Sequence, residues 1–227
     1  MRRLKFLMSA ALVALALLAA ACGSSPSGLD SKSPRAILDA SAAAVKSARS
    51  VRYAGTIRDQ GFNSKVDLVL TAAGDTSGTI SAAGETIQMI DLRSATYLKA
   101  SASFWRGSGL SAAAAARIAP HWVKTAALPS GDATESFSSL GKSLAIPNGG
   151  ALTTIGPKAI HGQTAIGVHS AKYGSTIWIA DTGPAYPISF DGPLQGSTGS
   201  VSFSEWNSAP EPTAPPHALP ESSIVHA

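Results

Sequence analysis

The spacing of apolar residues changes along the chain from a helical period to a strand period. After Ser33 and Pro34, apolar residues such as Ile37, Leu38 and Val45 recur at helical spacing. Serine is a good helix N-cap and proline suits the first helical position, so the helix is predicted to begin at Pro34. From residue 51 apolar and polar positions alternate in "SVRYAGTIRD" and "KVDLVLTA", which predicts half-buried antiparallel strands.

The rest of the chain is predicted to contain further strands, then two helices, then a second run of strands. "GTISAAG", "ETIQMIDL" and "SATYLKAS" are further predicted strands. Two helices are predicted in the middle, "LSAAAAARIA" ending at Pro120 and "GDATESFSSLGKSLA" with a capping-box-like start. "ALTTIG", "QTAIGVHSA", "STIWIAD", "AYPISFD" and "GSVSFSEW" are strands, with "PKAIHG" as a turn. The pattern predicts an α+β fold, in which one curved antiparallel sheet carries helices on one face.

The first 21 residues have the pattern of a secretory signal peptide. The basic "MRRLKF" precedes an uncharged run from Leu7 to Ala20, which is shorter than the roughly 20 apolar residues of a membrane-spanning helix. Two alanines then precede Cys22, the single cysteine, and polar residues follow it. This arrangement resembles the bacterial lipobox, so Cys22 is predicted to be the lipid attachment site and the first residue of the mature protein. The alternative is a secreted protein with an incidental cysteine beside its cleavage site.

Composition divides the chain into four segments. We expect a lipoprotein signal peptide at 1–21, a flexible tether at 22–33, a folded domain at 34–207 and a proline-rich tail, extended and mobile, at 208–227. The formal net charge of +4 owes three of its positive charges to the basic residues before the apolar run. The mature part is therefore nearly neutral, which excludes the basic surface of a nucleic-acid-binding protein.

No motif in the sequence predicts catalysis. "LGKSL" lacks the first glycine of a phosphate-binding loop, because position 136 is serine. The five histidines lack metal-ligand spacing, and no Gly-x-Ser-x-Gly elbow is present. We therefore expect no enzyme, no cofactor and no metal. Trp105 and Trp122 flank the alanine-rich helix, and they either form an amphipathic rim that meets a ligand or membrane, or pack in the ordinary way.

Several segments together resemble a known family. They are "SVRYAGTI", "ATYLKASASFW", "HWVKT", the Ile160, Gly162 and Ala165 pattern, "STIWIADTGPAYPISF" and "FSEW". Over roughly residues 34–215 the chain is similar to actinobacterial lipoproteins with a LolA-like fold, the LppX/LprG-like class. The resemblance implies an unclosed β-barrel with helices packed on its concave face around an apolar cavity. It also implies a protein on the extracytoplasmic face of the cell membrane, held there by its lipid anchor, that binds or carries a lipid or acylated glycolipid.

The inward-facing apolar residues of the predicted strands are the candidates for such a cavity. They are Val51, Tyr53, Ile57, Val66, Leu68, Leu70, Leu98, Ile177 and Ile179. The same residues would also pack a filled core beneath the helices. A structural or interaction lipoprotein without a ligand is therefore the alternative function, and an envelope enzyme is a second alternative that no motif supports.

Overall fold

A computed structural model describes residues 27–59, 61–125, 137, 150–194, 197–220 and 222–225. Cys22, the signal peptide and all but Phe137 of the predicted helix at 131–145 lie outside the described residues. The helices are α1 (Pro34–Ser47), α2 (Ala102–Gly107), α3 (Ala112–Ile118) and α4 (Ser222–Val225), with a 3-10 turn at Leu29–Ser31. The strands are β1 (Ser50–Asp59), β2 (Phe62–Thr71), β3 (Thr76–Ala82), β4 (Glu85–Leu92), β5 (Ala95–Lys99), β6 (Val123–Thr125), β7 (Leu152–Ile160), β8 (Gln163–Ser170), β9 (Ser175–Ala180), β10 (Pro187–Leu194) and β11 (Ser197–Ser204).

All strands of the described residues belong to one antiparallel sheet. Their spatial order is β6-β5-β4-β3-β2-β1-β11-β10-β9-β8-β7. Two meanders, β1 to β6 and β7 to β11, thus meet where β1 pairs with β11. The two outer strands, β6 and β7, do not pair with each other, so the sheet is an unclosed barrel. This confirms the predicted α+β fold with one curved antiparallel sheet.

Helix α1 forms where the sequence predicts it. The Ser33 hydroxyl accepts a hydrogen bond from the backbone N–H of Ala36 at 3.3 Å, and Pro34 occupies the first helical position. The buried side of the helix includes Ile37 and Val45, and the helix contacts β7 and β8. Buried residues of α1, α2 and α3 join those of the sheet in one hydrophobic cluster, so these helices cover the concave face.

Glycines permit the close approach of neighbouring strands in this curved sheet. A methyl group at Gly55 would lie 2.2 Å from the carbonyl oxygen of Ser200 on β11. At Gly78 it would lie 2.0 Å from the carbonyl oxygen of Asp67 on β2, and the φ angle of +147° also disfavours a side chain. The strands at the centre of the sheet therefore require glycine at both positions.

Two elements differ from the sequence prediction. The residues that follow the predicted strand "SATYLKAS" form helix α2, which was not predicted, and Ser101 caps it by accepting from the N–H of Phe104. Strand β7 continues to Ile160 through much of the predicted turn at 157–162. Pro157 is compatible with this strand because β7 is at the sheet edge and its register shifts between Ile155 and Lys158.

The segment before α1 is packed on the domain. Leu29 is 1% exposed and belongs to the main hydrophobic cluster. The Ser27 N–H donates to the Asp181 carbonyl oxygen at 2.7 Å, which fixes the segment beside the end of β9. Residues 27–29, which we expected to be part of a flexible tether, are thus held by burial and hydrogen bonds, whereas residues 30–33 are exposed.

The described part of the tail follows the sheet instead of leaving it. Residues 205–220 are here named the C-terminal strap, and near its start the ring of Trp206 stacks on Tyr186 with a 4.6 Å centroid distance. Further along, Leu219 pairs in parallel with Val123 on the edge strand β6. The pairing of Leu219 with β6 attaches this part of the tail, which we expected to be mobile.

Candidate ligand-binding site

The nine apolar residues proposed from the sequence all meet in one hydrophobic cluster. Eight of them are buried: Val51, Tyr53, Val66, Leu68, Leu70, Leu98, Ile177 and Ile179. Ile57 is half-buried and packs against the same cluster. They lie on β1, β2, β5 and β9, so the sheet brings together residues that are far apart in the sequence.

Strand register arranges part of this cluster as a continuous row across the concave face. Each member is paired with the next on the neighbouring strand. From β4 to β8 the row is Ile87, Ile80, Val66, Gly55, Val201, Phe190, Ile177 and Val168, and it is named the apolar row below. Except for Gly55, every member has an apolar side chain, so the row presents one apolar surface over eight strands.

Exposure increases along the apolar row. Val168 on β8 is 0% exposed and Val66 on β2 is 7% exposed, whereas Ile80 and Ile87 on β3 and β4 are half-buried. Helix α1 contacts β8 at the buried end. The end at β3 and β4, here named the open end, therefore offers apolar surface that the described residues cover only in part.

Helix α2 is attached beside the open end. The hydroxyls of Ser101 and Ser103 both donate to the carboxylate of Glu85, the first residue of β4. These hydrogen bonds hold the pKa of Glu85 below its ordinary value, because they favour the charged carboxylate. Glu85 lies two residues before Ile87. The two serines therefore hold the start of α2 near Ile87, the residue at the open end of the apolar row.

The two tryptophans that flank the alanine-rich segment have different environments. Trp105 on α2 is 4% exposed, belongs to the main cluster and packs edge-on against Phe104 with ring centroids 5.2 Å apart. Its Nε1 atom is buried and has no hydrogen-bond partner. Trp122 is half-buried, and its carbonyl oxygen accepts from the N–H of Leu219 in the strap.

Sequence reasoning missed several residues at the open end. Ile80 and Ile87 lie in segments that the sequence correctly predicts as strands, and Ile87 alternates with polar neighbours, so this signal was present. Phe104 is half-buried against the cluster and lies on α2. Because this six-residue helix is too short to show a clear apolar period, no signal in the sequence identified Phe104.

Charged side chains form a network on the opposite face of the sheet. Arg52 binds both carboxylate oxygens of Asp67 at 2.8 Å and one of Glu205 at 3.0 Å. Arg52 lowers the pKa of Asp67, chiefly through these hydrogen bonds. Within the described ranges, no three His, Cys, Asp or Glu side chains are grouped so that they could hold a metal ion.

Two polar cavities are formed by the described residues, and one of them is lined in part by Gly55 and Val201 of the apolar row. This cavity, of about 490 Å³, is also lined by Lys158 of β7, by His161 in the turn after β7, by Trp178 and by serines of β10 and β11. The other, of about 460 Å³, lies between the strap and the first strands and is lined partly by Arg49 and Glu211. Their charged linings are unsuited to an apolar ligand.

None of the helices in the described part of the chain is long and apolar enough to cross a membrane.

Comparison with known proteins shows the fold. No protein-family model matches the chain, and no curated protein is a significant match. LprF from Mycobacterium bovis matches with a TM-score of 0.60 and 15% identity, over 80% of this chain and 96% of that one. The Mycobacterium tuberculosis lipoprotein LppX matches with a TM-score of 0.51 and 15% identity, over 79% of this chain and 98% of that one. The chain therefore has the fold of the LppX/LprF type, and the resemblance drawn from the sequence is confirmed at the level of the fold.

Proposed function

We propose that this protein is a cell-envelope lipoprotein that binds a lipid or another apolar ligand at the open end of the apolar row. The observation that carries the proposal is the rise in exposure along that row, from Val168 to Ile87. Ile80 and Ile87 are half-buried, so part of their apolar surface remains in contact with water. A ligand that covered this surface would gain about 25 cal/mol of binding free energy for each Å² removed from water. The proposal is for a binding protein, and no reaction is assigned to it.

A ligand-blocking substitution tests this function. Ile87→Trp would fill the open end, whereas Leu68→Trp would overpack a side chain that is only 2% exposed. Ile155→Trp is the matched control, because Ile155 is an exposed isoleucine on the edge strand β7. The full chain is produced in the organism that encodes it, and co-purifying lipid is measured by native mass spectrometry and extraction.

We expect lipid on the wild-type protein and on Ile155→Trp, and at least a severalfold lower occupancy on Ile87→Trp. Wild-type protein that never carries lipid would contradict the proposal and favour the filled-core interaction lipoprotein. Equal occupancy in both variants would place the ligand elsewhere and also contradict it.

We propose further that the protein is anchored to the extracytoplasmic face of the cell membrane by a lipid on Cys22. The support is the short apolar run that ends at this cysteine and the fold shared with LppX, which is itself a lipoprotein. One acyl chain binds a membrane only marginally, so stable anchoring requires two or more chains. Cys22→Ala is expected to move the protein from the membrane fraction to the soluble fraction, and its retention in the membrane would overturn the anchor.

A further inference from the structure

The cavity of about 490 Å³, here named the outer cavity, is lined by side chains that point away from the apolar row. Successive residues of a strand point to opposite faces of a sheet. Four residues that line the outer cavity are sequence neighbours of members of the apolar row, and they pair with one another across four strands: Ala54, Ser202, Ser189 and Trp178. Their side chains therefore lie on the outer face of the sheet, opposite the proposed ligand site.

The end of β7 encloses the outer cavity because it bends over the outer face. Strands β7 and β1 are five strands apart in the sheet, yet residues of both line the cavity. The register of β7 shifts between Ile155 and Lys158, and a bulge of this kind bends a strand. Beyond the shift, Ile160 packs on a second hydrophobic cluster that contains Trp178 and Ile188. One wall of the cavity is therefore a strand end that is fixed by its own packing.

The polar groups of the outer cavity offer both donors and acceptors to a ligand. The Ser200 hydroxyl donates to Oδ1 of Asp191 at 2.5 Å, and no donor among the described residues is bonded to Oδ2. The Lys158 ammonium lies 5.2 Å from the centre of the Trp178 ring, and it has no carboxylate partner in the described part of the chain. Lys158 and Asp191 are both exposed. A ligand in the cavity can therefore accept from the ammonium and donate to the carboxylate.

The charges of the outer cavity favour a ligand without net charge. Apart from His161, the titratable side chains that line it are one ammonium and one carboxylate, so an anion would meet Asp191 and a cation would meet Lys158. A zwitterion would gain little from either charge, because ion pairs between exposed groups contribute little. Hydroxyl groups both donate and accept, and the rest of the lining includes three serine hydroxyls and the apolar wall of Trp178. This combination suits a sugar, which carries hydroxyls and C–H groups on one ring.

We propose that the outer cavity is a saccharide-binding site, which takes a neutral sugar unit of an oligosaccharide. Asp191 accepts from one sugar hydroxyl, Lys158 donates to another, and Trp178 contacts C–H groups of the ring. The volume of about 490 Å³ lies within the range of about 300–1,000 Å³ of small-ligand sites. This site goes beyond the proposed lipid-binding function and does not depend on it, because the side chains of the two sites lie on opposite faces of the sheet.

Titration with soluble oligosaccharides tests the site. The full chain is titrated by calorimetry with the neutral hexamers of glucose, mannose, galactose and N-acetylglucosamine. The galacturonate hexamer is the anionic counterpart, the glucosamine hexamer is the cationic counterpart, and tetraglycine is a zwitterion. We expect at least one neutral hexamer to bind, and to bind about tenfold or more tightly than the two charged hexamers and tetraglycine.

Two variants at exposed positions locate the binding. Lys158→Met removes the ammonium and Asp191→Ala removes the carboxylate, and each should weaken binding about five- to tenfold, as for the loss of one hydrogen bond. Their unfolding midpoints without ligand should stay close to that of the wild type, because both side chains are exposed. Lys172→Met is the matched control, since the Lys172 ammonium also lies 5.2 Å from the centre of an aromatic ring, that of Tyr173, and does not line the outer cavity. It should bind as the wild type does.

Several outcomes would overturn the site. They are binding of none of the four neutral hexamers, tighter binding of a charged hexamer or of tetraglycine, and unchanged binding in both Lys158→Met and Asp191→Ala. Phosphatidylcholine vesicles that carry the bound sugar on a lipid distinguish a free chain from a headgroup. They should bind with the same loss in Lys158→Met, whereas binding of the vesicles without binding of the soluble hexamer would assign recognition to the membrane surface and overturn the site.

A variant of the lipid site separates this inference from the proposed function. Ile87→Trp, which is expected to lower lipid occupancy, should bind the neutral hexamer as the wild type does. Loss of hexamer binding in Ile87→Trp would overturn the assignment to the outer cavity. Protein without co-purifying lipid that still binds the hexamer would contradict the lipid-binding function and leave the saccharide site intact.

Discussion

Asp181 holds Leu29 at the edge of the core, since its Oδ1 atom accepts a hydrogen bond from the backbone N–H of Leu29 at 3.1 Å. The two residues are 152 positions apart in the sequence, and both are buried. The same oxygen accepts from the hydroxyl of Ser27 at 2.8 Å. One carboxylate at the end of β9 thus satisfies two donors of the segment that precedes α1.

Removal of this carboxylate should destabilise the domain. Asp181→Ala leaves the buried N–H of Leu29 without an acceptor, which costs about 1–3 kcal/mol. The free energy of unfolding in urea measures this loss. Asp181→Asn retains an acceptor oxygen and should lose less, and Asp30→Ala, at an exposed neighbouring carboxylate, should have little effect. Equal stability of Asp181→Ala and the wild type would show that the hydrogen bonds contribute nothing.

Truncation of Leu29 tests the packing of the same segment. Leu29→Ala removes a side chain that is 1% exposed and leaves a cavity, for which losses of about 2–5 kcal/mol are typical. Thermal unfolding and limited proteolysis between residues 27 and 33 are the measurements. Resistance to proteolysis equal to that of the wild type would contradict a structural role for this leucine.

Gly78→Ala should be among the most damaging substitutions of a small residue. Its added methyl group would lie 2.0 Å from the Asp67 carbonyl oxygen and would sit on a backbone with positive φ. We expect a loss of more than about 2 kcal/mol, measured by denaturant unfolding. Gly107→Ala in α2 is the control, because no atom outside its own helix backbone and chain neighbours lies within 4 Å of its added methyl group. Similar losses in both variants would refute the role of Gly78 in strand approach.

The Arg52–Asp67 pair should make a small, pH-dependent contribution to stability. The pKa of Asp67 is lower in the folded protein, so its stabilisation is present above its ordinary pKa of 3.8 and is lost as pH falls through the lower folded value. More than a third of each side chain is exposed, which limits the contribution to below about 1 kcal/mol. Asp67→Asn should therefore be less stable than the wild type at pH 7 and nearly equal to it at strongly acid pH.

A variant without the arginine is the control for this prediction. In an Arg52→Met background, Asp67→Asn should have nearly the same effect at both pH values, as measured by urea unfolding. A pH-dependent effect that persists in this background would attribute the lowered pKa of Asp67 to another group.

The main elements of the fold are readable from the sequence because their signals are local. Helix α1 has its cap and apolar spacing within one segment, and the strands have their alternation. Helix α2 is only six residues long. Its cap residue Ser101 is attached to Glu85, which lies 16 positions earlier in the sequence. Contacts of this kind have no periodic signature, so α2 was not predicted from the sequence.

The candidate site was predictable in part for a similar reason. Alternation identifies which residues face inward, and the nine candidates indeed share one cluster. It does not reveal which inward positions the helices cover. The half-buried state of Ile80 and Ile87 depends on α1 lying over β7 and β8, which is a tertiary arrangement. The unpaired N–H of Trp105 is likewise invisible until its surroundings are known.

The attachment of Ser27 to Asp181 would restrict how a domain anchored through Cys22, as proposed, can be oriented on a membrane. Cys22 precedes Ser27 by five residues, which span at most about 18 Å when fully extended. A lipid on Cys22 would therefore keep the β9 side of the sheet near the bilayer surface. The open end at β3 and β4 lies several strands away from this side. The domain would thus have little freedom to rotate, and ligand would be exchanged from a narrow range of approach directions.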